Sequence, residues 1–265
     1  MIMFKLSRIY TYMGYKLFRP HKNGHGIHSP FLFDYILNVL NKKEIPHQIT
    51  GIIKLRRQLL KDRTVLDIKD LGAGSVKSGK TRRTIREITK HSSSTIKYGK
   101  LLYRIMEYFQ PATILELGTC LGIGTAFLAA ASPKSAIITL EGSDQLINRA
   151  KKNFEYLRIN NVTTFQGNFN DLLPSVLNNN SGIDMVFIDG NHKGEATIEY
   201  FEACLQNMTI PGIIIFDDIR WSEDMFHSWN KIIKNEHVTL SIDLFQMGII
   251  FLNPKLKKQH FQIYY

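Results

Sequence analysis

The chain has 265 residues, of which 44% are hydrophobic and 22% charged, and this composition is typical of a globular protein with one or two domains. Its apolar runs are only as long as strands, which excludes a membrane-embedded protein. The two cysteines, Cys120 and Cys204, are too few for a disulfide framework. The first residues lack the apolar segment of a secretory signal, so we expect a cytoplasmic protein.

The formal net charge of +11 is distributed unevenly along the chain. Residues 1–110 contain 22 Lys and Arg against 7 Asp and Glu, whereas residues 111–265 contain 12 against 16. This asymmetry is compatible with a nucleic acid or another anionic partner. It is equally compatible with helix faces on which Lys and Arg are simply solvated.

The first half of the sequence is predicted to be mainly helical. Apolar residues recur at helical spacing over residues 2–18, 31–42, 50–62, 81–90 and 97–109. The stretch 64–80 is expected to be a loop with a strand-like start. We therefore predict a basic, mainly helical extension or lid over residues 1–94.

From residue 112 onward, short β-branched runs alternate with helical patterns. The expected strands cover residues 112–118, 136–142, 162–167, 184–190, 212–218, 237–245 and 247–253. Such alternation predicts a parallel sheet with helices on both faces. Because no helix fits between the last two strands, they must form an antiparallel hairpin. The predicted α/β domain, residues 95–265, is Rossmann-like and has a seven-stranded, mostly parallel sheet with one antiparallel strand.

The segment ILELGTCLGIGTAF (114–127) places glycines between an apolar strand and a helix. Backbone N–H groups in such a turn can approach a ligand closely. Glu141 ends the next strand, 23 positions after Gly118, where an acid can accept hydrogen bonds from ribose hydroxyls. The combination predicts a nucleotide-like ligand, although a purely structural tight turn remains the alternative.

These segments resemble the class I S-adenosylmethionine-dependent methyltransferases. ELGTCLGIGT is similar to their first motif, LEGSD to the acidic strand end, and QGNFNDLLP to the segment that borders the adenine. The resemblance covers about residues 95–253 and implies the class I methyltransferase fold. It also implies that the cofactor is held by Glu116, Gly118, Thr119, Gly122, Glu141, Asn168 and Asp189. Many members carry Asp where Asn168 stands.

A rival nucleotide site is GSVKSGKT (74–81), which matches the phosphate-binding pattern G-x-x-x-x-G-K-[ST] at every fixed position. That pattern should follow a buried parallel strand. The preceding TVLDIKDL instead carries Asp67, Lys69 and Asp70, so we expect a loop with some capacity to bind anions. A P-loop nucleotide hydrolase is kept as the hypothesis from a different class of protein.

Three acids follow two neighbouring strands of the expected sheet. Asp189 ends one strand, and the pair Asp217-Asp218 ends the next. Three like charges close together are costly unless a cation neutralises them, and oxygen ligands suit Mg²⁺ or Mn²⁺, with Ca²⁺ also open. The alternative is that one acid caps a helix while the others are solvated.

The same residues make the resemblance more specific. VFIDGNHK followed by IIIFDDIRWSEDM is similar to the catechol and caffeoyl-coenzyme A type O-methyltransferases. In that family the second acid of the pair is Asn rather than Asp218. A Lys three residues after the first Asp takes the acceptor's proton, and His192 stands there in this sequence, followed by Lys193. A histidine can do this work because its charge changes near neutral pH, although His192 could instead cap the next helix.

The leading hypothesis is an O-methyltransferase acting on a hydroxyl of a small molecule. It assigns catalysis to Asp189, His192 and Lys193 and metal binding to Asp189, Asp217 and Asp218. A nucleic-acid methyltransferase is the alternative enzyme, which the basic first half suggests. The sequence leaves the identity of the acceptor undetermined, and a homodimer remains open.

Overall fold

The structure is a computed structural model that describes residues 2–18, 21–44, 46–68 and 82–265, apart from the side chains of residues 2–9 and 22. The α-helices in these residues are α1 (Ile2–Phe18), α2 (Pro30–Tyr35), α3 (Thr50–Leu59), α4 (Ile85–His91), α5 (Ile96–Phe109), α6 (Ile123–Ala131), α7 (Asp144–Leu157), α8 (Phe169–Asn179), α9 (Gly194–Leu205) and α10 (Glu223–Ile232). Shorter helical segments are the π-helical turn Ile36–Leu40 after α2 and the 3-10 turns Lys22–Gly24 and His47–Ile49.

The strands of the described residues are β1 (Val65–Asp67), β2 (Arg82–Thr84), β3 (Thr113–Leu117), β4 (Ala136–Glu141), β5 (Val162–Gln166), β6 (Ile183–Ile188), β7 (Met208–Phe216), β8 (Leu240–Asp243), β9 (Gly248–Leu252) and β10 (Gln259–Gln262). β1 and β2 form a small antiparallel sheet of their own. The other eight belong to a large, mostly parallel sheet in a mixed α/β fold.

Contacts divide the chain into two compact units. The first unit comprises residues 1–42 and 184–265, and its strands lie in the order β10-β8-β9-β7-β6. β9 is antiparallel to both β7 and β8, and β10 is parallel to β8. The second unit comprises residues 43–183, with β3, β4 and β5 paired in parallel. The domains predicted at 1–94 and 95–265 stay a prediction.

The fold class predicted from the sequence is confirmed, including the single reversed strand, β9. The sheet has one strand more than the seven predicted, because β10 pairs with β8 near the end of the chain. The strand is held there by a hydrogen bond of 2.8 Å between Ser241 Oγ and His260 Nδ1 and by the burial of Ile263 just beyond it.

Several helices begin where the sequence provides a cap. Ser29 accepts a hydrogen bond from Leu32 N (3.4 Å), and Pro30 occupies the first helical position of α2. The prediction of a helix over 81–90 is wrong at its start, because Thr84 and Glu87 form a capping box and α4 begins at Ile85. The three residues of β2 are extended and pair with β1 instead.

Each unit has its own apolar core. In the second unit, a glycine in the first turn of α5 lets α5 and α6 approach each other, because a Cβ on Gly99 would lie 2.2 Å from the Phe127 ring. In the first unit, aromatic rings pack in sequence, with Phe216 6.4 Å from Phe201 and 5.8 Å from Trp229 between ring centroids. None of the helices in the described part of the chain combines the length and apolar character needed to cross a membrane.

The close packing of Gly248 in β9 against Trp229 gives a stability prediction. A Cβ at Gly248 would lie 2.6 Å from the Trp229 ring, which is only 2% exposed and cannot move into solvent. We expect Gly248→Ala to lower the free energy of unfolding by about 1–3 kcal/mol, the usual cost of overpacking. Urea denaturation measures it.

The matched control is Gly51→Ala in α3, where the nearest atom to the new Cβ is the Leu157 side chain at 3.4 Å. That substitution should leave stability unchanged or raise it slightly, because alanine favours a helix. Equal effects of the two substitutions would contradict the packing argument.

Candidate functional site

The turn that follows β3 is built from left-handed residues. Gly118 has φ 114°, Cys120 has φ 50°, and Gly122, the N-cap of α6, has φ 74°. A Cβ on Gly122 would also lie 2.5 Å from the Phe154 ring. Glycine is therefore required at position 122 for both its backbone angle and its close packing.

Glu141 at the end of β4 is held beside this turn. Its Oε2 accepts a hydrogen bond from Cys120 N (2.7 Å), and its Oε1 accepts one from Ser143 N (2.9 Å). The residue remains partly exposed. Two backbone donors thus fix a partly exposed carboxylate at the turn, and its predicted contact with a ribose stays a prediction.

Glu116 lies in the interior, where it is 1% exposed. Its Oε2 accepts hydrogen bonds from the hydroxyls of Thr125 (2.5 Å) and Thr139 (2.6 Å). Burial, opposed by these two bonds and reinforced by the charge of Glu141, raises the pKa of Glu116 to about 7. The carboxyl group thus links β3 to α6 and β4 by hydrogen bonds and stabilises the elements on both sides of the glycine turn.

Thr119 belongs to the same network. It is 3% exposed, and its hydroxyl lies 2.6 Å from the hydroxyl of Thr139. Both side chains, Glu116 and Thr119, have hydrogen-bond partners inside the protein. Their predicted contacts with the cofactor stay predictions.

Asn168 follows β5 and is the N-cap of α8. Its Oδ1 accepts a hydrogen bond from Asn170 N (3.0 Å), and its side chain is exposed. The preceding residue, Gly167, donates its N–H to the Glu141 carbonyl (2.9 Å). The structure therefore brings the glycine turn, the predicted ribose acid and the predicted adenine segment together within the second unit.

The acids of the first unit come directly after β6 and β7. The Asp217 N–H donates to the Ile188 carbonyl (2.9 Å), and the side chain of Asp217 is hydrogen-bonded to Asp189 and Gln246. Asp217 is buried, and its Oδ1 accepts no hydrogen bond from any part of the chain that the structure describes. Burial, followed by the charge of Asp218, raises the pKa of Asp217 to about 7.

Two of the three predicted metal ligands, Asp189 and Asp217, are therefore in contact, and Asp218 adjoins them with a left-handed φ of 52°. Across residues 2–18, 21–44, 46–68 and 82–265, no three His, Cys, Asp or Glu side chains form a group that could hold a metal ion. The predicted cation therefore stays a proposal.

His192 and Lys193 precede α9. Asn191 and His192 have φ values of 67° and 33°, both left-handed. The N-cap of α9 is Lys193, whose side chain makes no capping bond, and the Gly194 N–H donates to Asp224 Oδ2 (2.6 Å). His192 thus lies one residue before the cap, with its ring 5.8 Å from the Trp221 ring between centroids.

Sequence reasoning missed the residue that anchors the loop after Asp218. Arg220 is 6% exposed and donates to both carboxylate oxygens of Asp243, at 2.6 and 2.5 Å, and to the Phe245 carbonyl at 3.0 Å. Its guanidinium group also lies 4.7 Å from the Phe226 ring centroid. The only signal in the sequence for the Arg220–Asp243 pair was that Asp243 ends a strand, and this does not indicate which residue pairs with Asp243.

A family model described as a methyltransferase domain matches residues 115–219. This part of the chain is therefore similar to a methyltransferase domain. The catechol O-methyltransferase of Niastella koreensis is 35% identical over 123 residues, which are 45% of this chain and 54% of that protein. The chain thus spans about half the length of this relative. The match confirms the resemblance that the sequence predicts.

Solved structures of O-methyltransferases share the fold of this chain. An O-methyltransferase from Bacillus cereus in complex with SAH is 20% identical, has a TM-score of 0.56, and is matched over 84% of this chain and 97% of its own. The O-methyltransferase TomG from Streptomyces achromogenes, in complex with SAM, is 17% identical with a TM-score of 0.56 over 84% and 95%. The nucleic-acid and nucleotide-hydrolase alternatives are not favoured, and the 74–81 segment on which the second rests lies outside the described residues.

The burial of Glu116 predicts a pH dependence of stability. The folded pKa of about 7 lies above the ordinary value of 4.5, so the native state keeps a proton that the unfolded chain loses. Stability should therefore fall as the pH rises from about 4.5 to 7, by at most about 3 kcal/mol. In Glu116→Gln this part of the fall should disappear, as urea denaturation at pH 5 and pH 7.5 would measure.

Glu155→Gln, an exposed acid on α7, is the control and should keep the pH dependence of the wild type. If Glu116→Gln also kept it, the assignment of a buried, proton-binding Glu116 would be wrong.

Proposed function

We propose that this chain is an S-adenosylmethionine-dependent O-methyltransferase whose acceptor is a hydroxyl of a small molecule of the catechol class. The observation that carries the proposal is the Glu141 carboxylate, fixed by the N–H groups of Cys120 and Ser143 beside a left-handed glycine turn. The methyltransferase-domain match and the name of the Niastella koreensis relative support it. The chain's whole activity, including the acceptor, belongs to this proposal.

The residues of the second unit fit the cofactor. Each Glu141 oxygen accepts a hydrogen bond from a backbone N–H, and a carboxylate oxygen can accept more than one hydrogen bond, so a ribose hydroxyl fits the same group. Gly118 and Gly122 keep side chains out of the turn, while Glu116 and Thr119 position it through Thr139. We assign the adenine border to Asn168. When bound, S-adenosylmethionine supplies a methyl group made electrophilic by its sulfonium.

The residues of the first unit fit a divalent cation in part. Asp217 has a buried oxygen without a partner among the described residues, and its carboxyl group is in contact with Asp189. A cation would relieve the repulsion between these acids, which a shared proton otherwise relieves. We propose that Mg²⁺ or Mn²⁺, or alternatively Ca²⁺, binds Asp189, Asp217 and Asp218. Such an ion supplies charge that polarises an acceptor hydroxyl.

We assign removal of the acceptor's proton to His192, with Lys193 as the alternative base. The His192 ring is partly exposed, lies beside Trp221, and is not the N-cap of α9. Its left-handed backbone is costly for a residue other than glycine, and such strain is concentrated at functional sites. Asp189, three residues earlier, would hold the acceptor through the cation.

The cofactor proposal predicts a ligand-dependent thermal shift. S-adenosylhomocysteine should raise the melting temperature of the wild type, because a ligand that binds only the native state stabilises it. Glu141→Ala should abolish the shift, since the ribose hydroxyls lose their acceptor, and Glu141→Gln should reduce it. Differential scanning fluorimetry measures all three.

Glu155→Ala on α7 is the control and should shift like the wild type. A full shift in Glu141→Ala would place the ribose away from Glu141 and contradict the assignment.

The cation proposal predicts that Mg²⁺ or Mn²⁺ raises the melting temperature of the wild type and fails to do so in Asp217→Asn. The variant loses a charged ligand but keeps the shape of the side chain. Because the substitution leaves Glu141 and the glycine turn unchanged, S-adenosylhomocysteine should still stabilise the Asp217→Asn variant. With a catechol as acceptor, methylation should fall at least tenfold in Asp217→Asn, and a chelator should do the same to the wild type.

Asp184→Asn at the start of β6 is the matched control, because that acid accepts a hydrogen bond from Thr209 Oγ1 (2.8 Å) and is not one of the assigned ligands. It should respond to the cation like the wild type. Full activity in excess chelator would exclude the cation and leave the methyltransferase proposal intact.

A further inference from the structure

Helix α1 is attached to the rest of the first unit by one face. Tyr15 is 5% exposed; its hydroxyl donates to the Ile263 carbonyl and accepts from Tyr265 N (3.0 Å). The rings of Tyr12 and Tyr15 lie 5.0 and 5.5 Å from the Phe245 ring between centroids. Because these contacts fix the orientation of the helix, its opposite face is also defined.

The opposite face is apolar and exposed. The fractional exposures are 71% for Tyr10, 52% for Met13 and 74% for Leu17, and the following Phe18 is 85% exposed. Positions three and four apart lie on the same side of a helix, so Tyr10, Met13 and Leu17 form one stripe. Isolated exposed apolar residues are ordinary, whereas a continuous stripe marks a binding surface.

The charge of this segment is of one sign. The first acidic residue of the whole sequence is Asp34. Before it stand the basic residues Lys5, Arg8, Lys16, Arg19 and Lys22. Lys16 is exposed, one position before Leu17 of the stripe. Helices with an apolar stripe and Lys or Arg on the remaining surface lie in the interface of anionic membranes.

We propose that α1 binds the surface of a bilayer that contains anionic lipids, with Tyr10, Met13, Leu17 and Phe18 inserted among the headgroups. A second copy of the chain fits this face less well, because pairing would bring together two segments with five basic residues and no acid each. The proposal is independent of the methyltransferase activity, since none of these residues belongs to the assigned catalytic or cofactor set.

Vesicle flotation of the full chain tests the proposal. One set of vesicles is pure phosphatidylcholine, and the other contains phosphatidylserine at about a third of the lipid. We expect at least tenfold more protein on the phosphatidylserine vesicles, with most of it released at high salt as the charges are screened. Leu17→Glu should lose the binding because it places an acid in the stripe.

Tyr156→Glu on α7 is the matched control: Tyr156 is 52% exposed, and the same change there should leave binding unaltered. An unchanged circular dichroism spectrum and melting temperature in Leu17→Glu would show that lost binding is not lost folding. Equal binding of Leu17→Glu and the wild type, or no binding to either vesicle, would overturn the proposal. Conversion of a wild-type dimer to a monomer by Leu17→Glu would overturn it in favour of a second copy.

Discussion

Burial of carboxyl groups at the ends of strands is the constraint on which much of this structure depends. The burial of the Asp243 carboxylate is compensated by a bidentate pair of hydrogen bonds from Arg220 and by the Phe245 N–H (2.7 Å). Glu116 is compensated by two threonine hydroxyls and by a raised pKa. Asp217 alone of the three keeps a buried oxygen without a partner among the described residues. An incompletely hydrogen-bonded buried carboxyl group such as that of Asp217 is best placed to bind a ligand or an ion from outside the chain.

The sequence predicted those parts of the fold whose signals are local. Ser29 and Pro30 mark the start of α2, and alternating strand and helix patterns mark the sheet from residue 113 onward. β2 and β10 were not predicted, because each becomes a strand only through its pairing with an earlier one, β1 for β2 and β8 for β10. Arg82–Thr84 and Gln259–Gln262 have no apolar alternation of their own, so only tertiary structure makes them strands.

The sequence indicated the candidate site residues, but it did not indicate the hydrogen bonds that hold them in place. Glu141 and Asp217 could each be singled out because each stands at the carboxyl end of a parallel strand, where ligands of such sheets bind. What holds them could not be found: Glu141 is fixed by backbone N–H groups, and Asp217 by Gln246 on a later loop. Every residue except proline has a backbone N–H, so the residue types at 120 and 143 do not indicate these hydrogen bonds. Gln246 and Asp217 are 29 positions apart, and no short sequence pattern connects them.

Left-handed residues other than glycine follow several of the strands in the large sheet. Gln110 and Arg158 are left-handed at helix ends, where this conformation is common. The other cases among the described residues are His21 and Asn23 at the first 3-10 turn, Phe245 after β8, and Cys120, Asn191, His192 and Asp218 in the turns after β3, β6 and β7. Each of these last three turns is held by a bond to a group outside it: the Cys120 N–H to Glu141, the Gly194 N–H to Asp224, and the Ile219 N–H to the Gln246 carbonyl (2.9 Å). Left-handed residues that their surroundings hold in place are strained, and such strain is concentrated at functional sites.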